Sequence, residues 1–328
     1  MTVDSATTAT GVTPRRTCGT QEVHQRLLRA VPEYVERRAA IESSIWAYAN
    51  AFEAFDEARA GVIVIPVVMH VVWHTDGDNI SDEQVKSQID VLNADYRKAN
   101  ADIEATPEVF KSLCADAQVE FALATVDPTG APTDGIVRVQ TEVESFGTDD
   151  AVKATATGGS DAWPADSYLN IWACNLGGGL LGYAQFPGGP AETDGVVILS
   201  SAIGTTGSVA APFNLGRTTT HEVGHWLNLR HIWGDDGDGC GGSDLVADTP
   251  NCAGPNYGAP DFPHVTCQNG PNGDLFMNYM DYVDDAVMVM FTTEQVARMR
   301  AAIDLSRSTI GATKPATDPP PADGTETT

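Results

Sequence analysis

Early in the chain, apolar residues recur at helical spacing: Val23, Leu27, Leu28 and Val31, then Ile41, Ile45, Ala49 and Phe52. This spacing predicts helices between residue 22 and about residue 58, after a Thr-, Ala- and Val-rich start that reads as disordered. The pattern changes at Gly61. Residues 63–73 (IVIPVVMHVVW) are β-branched and apolar almost throughout, which suits a buried strand, with Pro66 tolerated near an end or an edge. Ser81-Asp82-Glu83-Gln84 has the form of a capping box and opens a helix with Val85, Ile89, Leu92 and Tyr96 on one face. Residues 119–126 (VEFALATV) alternate like a strand and stop at the turn signal Asp127-Pro128-Thr129-Gly130. Two more strands are expected at 168–174 (YLNIWAC) and 195–199 (GVVIL), separated by the glycine-rich GGGLLGYAQFPGGP.

A short helix is expected at HEVGHWLNLRH (221–231), and residues 234–273, rich in Gly, Asp, Asn and Pro, predict little regular structure. A final helix is expected near 293–303, and 313–328 (TKPATDPPPADGTETT) reads as a solvated tail. The order of elements predicts an α+β fold with a twisted mixed sheet backed by helices. GVVIL reads as an edge strand able to pair with an extended backbone.

Composition narrows the partners. The chain has 328 residues, enough for one large domain and a smaller segment. A formal net charge of -26 argues against nucleic acid or an anionic membrane surface as the partner, since both would repel it. No apolar run approaches the about 20 residues that span a bilayer, so no membrane insertion is expected. The N-terminal stretch MTVDSATTATGVTPRRTCGT lacks the apolar core of a secretory signal. Six cysteines (18, 114, 174, 240, 252 and 267) are compatible with disulfides, and their spacing excludes a CxxC zinc ribbon.

HEVGHWLNLRH carries the chemistry. His221 and His225 are four apart, so a helix projects both imidazoles from one face. His231 would share the metal only if the helix ends abruptly near residue 228, where a left-handed residue is needed. Asn228 stands there, the most tolerant residue at positive φ after glycine. Three imidazoles with one open position describe a catalytic zinc site rather than a closed structural one. Glu222 is placed to act as general base on water and then as acid toward the leaving group. About fifty residues on, NYMDY places Met280 where a methionine in a tight turn would floor the three ligands.

Together HEVGHWLNLRHIWGDDGDGC, VADTPN, GPNYG and DLFMNYMDYVDDAVMVMFT resemble the pappalysin family of metzincin metallopeptidases, in its bacterial, ulilysin-like branch. The resemblance spans about residues 61–303. It implies a secreted zinc endopeptidase, calcium-stabilised and made as a zymogen, acting on protein or peptide substrates. It further implies a metzincin fold with a five-stranded mixed sheet and backing helices above the cleft and a loop-rich region below. The chain would divide into a pro-segment (1–60), a catalytic domain (61–312, upper about 61–231, lower about 232–312) and the tail 313–328. His221, His225 and His231 would bind zinc, Glu222 would be the catalytic base, and Tyr282 would be the tyrosine that approaches the metal and hydrogen-bonds the oxyanion.

The resemblance also sorts residues that spacing leaves open. Cys240 and Cys267 match a disulfide pair of the family, while Cys114, Cys174 and Cys252 gain no partner. In GDDGDGCGGSDLVADTP, carboxylates alternate with glycines as calcium sites require, and Asp244, Val246 and Asp248 are the expected ligands. Arg-x-Cys-Gly around Cys18 resembles a latency switch in which a thiolate fills zinc's open position. The family's preference for a basic residue after the scissile bond points to Asp284 and Asp285 as the pocket that answers it. The alternative is a catalytically silent, calcium-stabilised binding protein on the same scaffold, against which the intact Glu222 argues.

Overall fold

The computed structural model describes residues 15–50, 61–235 and 239–313. Its spine is β1 (Ile63–Trp73), which is apolar almost throughout because both of its faces are covered. Along one edge β1 pairs in parallel with β2 (Val119–Leu123) and then with β3 (Ile136–Gln140). Along the other it pairs in parallel with β4 (Leu169–Cys174), which pairs with β6 (Val196–Leu199). The antiparallel β5 (Gly182–Ala184) closes the rim, giving the order β2-β1-β4-β6-β5. A five-stranded mixed sheet is thus present along that path, with β3 and the short β9 (Ala312–Thr313) added against β1.

Two corrections follow. GVVIL is not an edge strand: as β6 it lies between β4 and β5, and its Val196, Val197 and Ile198 are buried. The edge belongs to β5, inside the stretch that reads as a glycine-rich loop. Gly182 is required there by closeness, since a Cβ would meet Glu222 Cγ and the Val197 carbonyl oxygen at 2.9 Å. Thr313, expected to open the tail, instead pairs its backbone with Ile63, and residues 314–328 lie outside the described residues.

Ile63, Ile65, Val67, Met69 and Val71 face α3 (Asp82–Tyr96) and α4 (Arg217–Trp226) in the main core. The opposite face carries Val72, Trp172, Cys174 and Val197, and there Val23, Leu27 and Tyr34 of the N-terminal helices pack. Ser81 caps α3 by accepting from the Gln84 amide at 3.2 Å, but the box is only half closed. The Gln84 side chain donates instead to the Ser200 and Ile203 carbonyls.

The N-terminal segment forms α1 (Thr20–Ala30) and α2 (Pro32–Asn50), with Pro32 in the first-turn position that suits it. The α2 helix lies on α5 (Thr293–Ser306), Ile45 against Ala301 and Ala302, with the Tyr48 hydroxyl donating to Asp304 at 2.9 Å. The expected helical positions 52–58 fall outside the described residues. Below the sheet, β7 (Tyr257–Gly258) and β8 (Tyr282–Val283) form a small parallel pair. The Cys240–Cys267 disulfide closes the loop around it, and Cys114, Cys174 and Cys252 are free and buried. Among the described residues no helix is long and apolar enough to cross a membrane.

Candidate active site

All ten residues of α4 are buried, so its two histidines face protein rather than solvent. The helix stops where the sequence required. Asn228 has φ 74°, its amide donates to the His225 carbonyl at 2.8 Å, and the Leu229 amide returns to Gly224 at 2.9 Å. That left-handed step turns the chain back, and His231 meets the helical pair. The Nε2 atoms of His221 and His231 each lie 3.1 Å from Nε2 of His225. Donors in tetrahedral zinc sites sit about 3.3–3.7 Å from one another, by simple geometry from bond lengths near 2.0–2.3 Å. The two separations fall just short of that range, close enough for the trio to share one metal ion.

Each imidazole is oriented by its other nitrogen. Nδ1 of His221 contacts the Tyr279 carbonyl at 2.7 Å, that of His225 the Leu229 carbonyl at 2.8 Å, and that of His231 Asp235 Oδ1 at 2.5 Å. Carbonyl partners demand a proton on Nδ1, which leaves the Nε2 lone pair free for a metal. Burial lowers the pKa of His225 to about 3 and that of His221 well below its ordinary value, so both stay neutral. Met280 packs against α4 between the two histidines: a Cβ on Gly224 would stand 2.5 Å from its sulfur. Tyr282 packs edge-on to His231 at 4.9 Å between ring centroids and to Trp233 at 4.8 Å.

Glu222 is buried beside the trio, and burial raises its pKa to about 7. The N-terminal segment reaches it. Cys18 Sγ donates to Glu222 Oε2 at 3.3 Å, and Thr20 Oγ1 donates to the same oxygen at 2.9 Å. One ligand atom from each of Cys18, His221, His225 and His231 falls within 4.8 Å of the others. Among the described residues this is the one such cluster. Without a cation, burial and the Glu222 charge hold the Cys18 thiol protonated; a divalent ion at the centre reverses that sign.

The segment enters as an added strand. Leu181 N donates to the Thr17 carbonyl at 3.0 Å, Gly19 N donates to the Gly182 carbonyl at 2.9 Å, and Cys18 bridges Gly182 in the parallel sense. Two residues before Cys18, the Arg16 guanidinium fills a closed pocket. It donates to Asp285 Oδ1 at 2.6 Å, Thr218 Oγ1 at 2.9 Å and the Val283 carbonyl at 3.3 Å, over the Phe213 ring. Asp285 is fully buried and its other oxygen accepts from the Leu215 and Arg217 amides. Of the two expected pocket acids, Asp285 thus reaches the cleft cation, and Asp284 is not among Arg16's hydrogen-bond partners.

The helix end is gripped from the same direction. Arg38 of α2 donates to Asn228 Oδ1 at 2.7 Å, and Arg298 of α5 donates to the Asn228 carbonyl at 2.8 Å. Glu42 joins the two arginines, with contacts of 2.6 Å to each. Asparagine at position 228 therefore does what glycine could not, offering a side-chain acceptor to the N-terminal helix. Arg16, Thr20 and Tyr279 escape a reading of the sequence because their partners lie far away in the chain or use main-chain atoms, whereas Asp235 stands only four residues from His231.

The expected calcium ligands are engaged in hydrogen bonds within the protein. Asp244 accepts from the Val246 amide at 3.2 Å and from Thr249 Oγ1 at 2.7 Å. The Val246 carbonyl accepts from Thr249 Oγ1 at 3.2 Å, and Asp248 accepts from Thr292 Oγ1 and the Glu294 amide at the start of α5. Asp236 and Asp238 lie outside the described residues, and Asp235 is committed to His231 and Gln21.

Comparison with known proteins agrees with this geometry. The family model described as pregnancy-associated plasma protein-A matches residues 153–304. An extracellular metalloprotease of Verticillium alfalfae is 30% identical over 313 residues, covering 91% of this chain and 94% of its own. Extracellular metalloprotease 1 of Coccidioides posadasii is 33% identical over 301 residues, covering 87% and 88%. Among solved structures, a mutant of Tannerella forsythia promirolysin is 47% identical with a TM-score of 0.82, covering 90% of this chain and 95% of that one. Mature mirolysin in complex with a cleaved peptide is 50% identical with a TM-score of 0.74, covering 76% and 97%.

The turn at Asn228 yields a direct test. Asn228→Ala keeps no left-handed preference and loses the Arg38 acceptor, so stability should fall by about 1–2 kcal/mol and metal affinity with it. Thermal melting and chelator competition measure both. An alanine variant that melts and binds zinc like the parent removes the helix-end argument.

Proposed function

The chain belongs to the pappalysin family of metallopeptidases, and we propose that it is a zinc endopeptidase held latent by its own N-terminal segment. The observation that carries this reading is the convergence of three imidazole nitrogens with Cys18 Sγ beside them. Zinc, when bound, supplies a Lewis acid that makes water a competent nucleophile near neutral pH. His221, His225 and His231 hold the ion and Met280 supports them from below. Glu222, beside the imidazoles, takes the proton from water and delivers it to the leaving amine. Tyr282, stacked at the edge of His231, steadies the charge that develops on the carbonyl oxygen.

In the intact chain these groups are engaged. Cys18 Sγ stands beside the imidazoles, where it would take the remaining position of a bound ion, Thr20 holds the general base, and Arg16 fills the Asp285 pocket. Promirolysin covers more of this chain than mature mirolysin does, a difference comparable to the length of the N-terminal segment. That supports reading the segment as a removable inhibitor. The segment runs parallel to β5, whereas a substrate paired antiparallel to the same rim would present its residues in the opposite order. The pocket on the Arg16 side of the metal then receives the side chain that follows the scissile bond, and Asp285 selects a basic one. Relatives named as extracellular metalloproteases support secretion.

Calcium belongs to this reading as a stabiliser of the lower loops, at the buried Asp244 carboxylate with the Val246 carbonyl and Asp248. Burial raises Asp244 to about 7, a penalty that a cation would relieve.

Glu222→Ala should lower peptide hydrolysis by the activated chain about a hundredfold to ten-thousandfold while zinc content stays unchanged. Metal analysis beside a peptide assay decides it, and undiminished activity with zinc bound refutes the mechanism. Chelating calcium under conditions that spare zinc should lower the melting temperature. An unchanged melting curve removes calcium from the account.

A further inference from the structure

The pro-segment places two arginines, not one, along the cleft. Beyond Arg16, the Arg15 guanidinium carbon lies 4.8 Å from the centroid of the Tyr257 ring. That distance is within the range of a cation–π contact. Tyr257 is held in place by main-chain pairing: in the β7–β8 ladder it stands opposite Tyr282, and Gly258 stands opposite Val283. Its ring is 6.0 Å from that of Tyr282, which itself borders His231. A path from the metal ligands therefore passes Tyr282 on β8 and crosses the ladder to Tyr257 on β7. Arg16 follows the same wall, through its bond to the Val283 carbonyl.

We propose that the Tyr257 ring face is a second cation-selecting subsite, taking the residue two positions after the scissile bond. The substrates favoured would carry consecutive basic residues there, the first on Asp285 and the second on Tyr257. This inference rests on the reading of Asp285 as the seat of the residue directly after the bond. Tyr257 is 36% exposed even with Arg15 against its ring, and no carboxylate needs to be buried to hold the second charge. Arginine suits this face better than lysine, because its planar guanidinium stacks on an aromatic ring. The strongly acidic chain adds a general attraction for such peptides, but that attraction does not distinguish one position from the next.

The test uses the full chain, loaded with zinc and activated by limited cleavage of its N-terminal segment. Two peptides share arginine directly after the scissile bond and differ only at the next position, arginine in one and its neutral isostere citrulline in the other. The expected kcat/KM ratio is about 2–5 in favour of arginine, the size of a partly exposed cation–π contact. Tyr257→Phe should keep the ratio, and Tyr257→Leu should bring it to about 1 while the preference for arginine over leucine at the first position persists. Melting curves of the variants establish that both are folded. A ratio of 1 in the parent with the first preference intact overturns the Tyr257 subsite alone, as does a ratio unaffected by Tyr257→Leu. Loss of any preference at the first position in the parent overturns the Asp285 reading on which the subsite rests.

Discussion

Three imidazole nitrogens meet because α4 ends at Asn228. Were the helix to continue, His231 would lie on a different face from His221 and His225 and no common point would exist. The left-handed backbone at Asn228 redirects the chain within three residues, and the Nδ1 contacts to Tyr279, Leu229 and Asp235 then fix each ring. Two of those contacts use main-chain carbonyls, so the site depends on the path of the backbone more than on side-chain identity. The same constraint explains Gly224 and Gly182. One lets Met280 approach the helix from below, and the other lets Glu222 lie against the rim strand.

The N-terminal segment exploits every feature that makes this a site. It adds a strand at the free edge β5, donates a hydrogen bond from Thr20 to the buried Glu222, and sets a sulfur beside the imidazoles. An arginine in the Asp285 pocket completes the occupation. The α2 helix then ties itself to the turn through Arg38 and Asn228, with Glu42 neutralising Arg38 and Arg298 together. The N-terminal segment and the ligand geometry are thus tied together through one residue, Asn228. The parallel direction of the added strand is opposite to the antiparallel sense proposed for a substrate, so the segment fills the subsites without presenting a peptide bond for cleavage.

Much of this was legible in the chain because the decisive groups are local. His221, Glu222, His225, Asn228 and His231 lie within eleven residues, and their spacing alone specifies a metal site with a helix stop. Strand β1 was legible from its apolar run, and α3 from its periodicity and cap. β5 was not, because three residues in a glycine-rich stretch carry no alternation, and its rim position followed only from the pairing. Asp284 and Asp285 could not be separated by sequence. Only the fold shows that Asp285 lies under the Leu215 and Arg217 amides. The partners of Arg16 and Thr20 stand some two hundred residues or more away, beyond any local pattern.

The central claim is that Cys18 closes the metal's open position until the N-terminal segment is removed. Zinc-edge X-ray absorption on the intact, zinc-loaded chain tests it most directly. The account predicts one sulfur at about 2.3 Å with nitrogens at about 2.0 Å, and loss of the sulfur once the segment has been cut away and separated. A first shell of nitrogen and oxygen alone in the intact chain would contradict it.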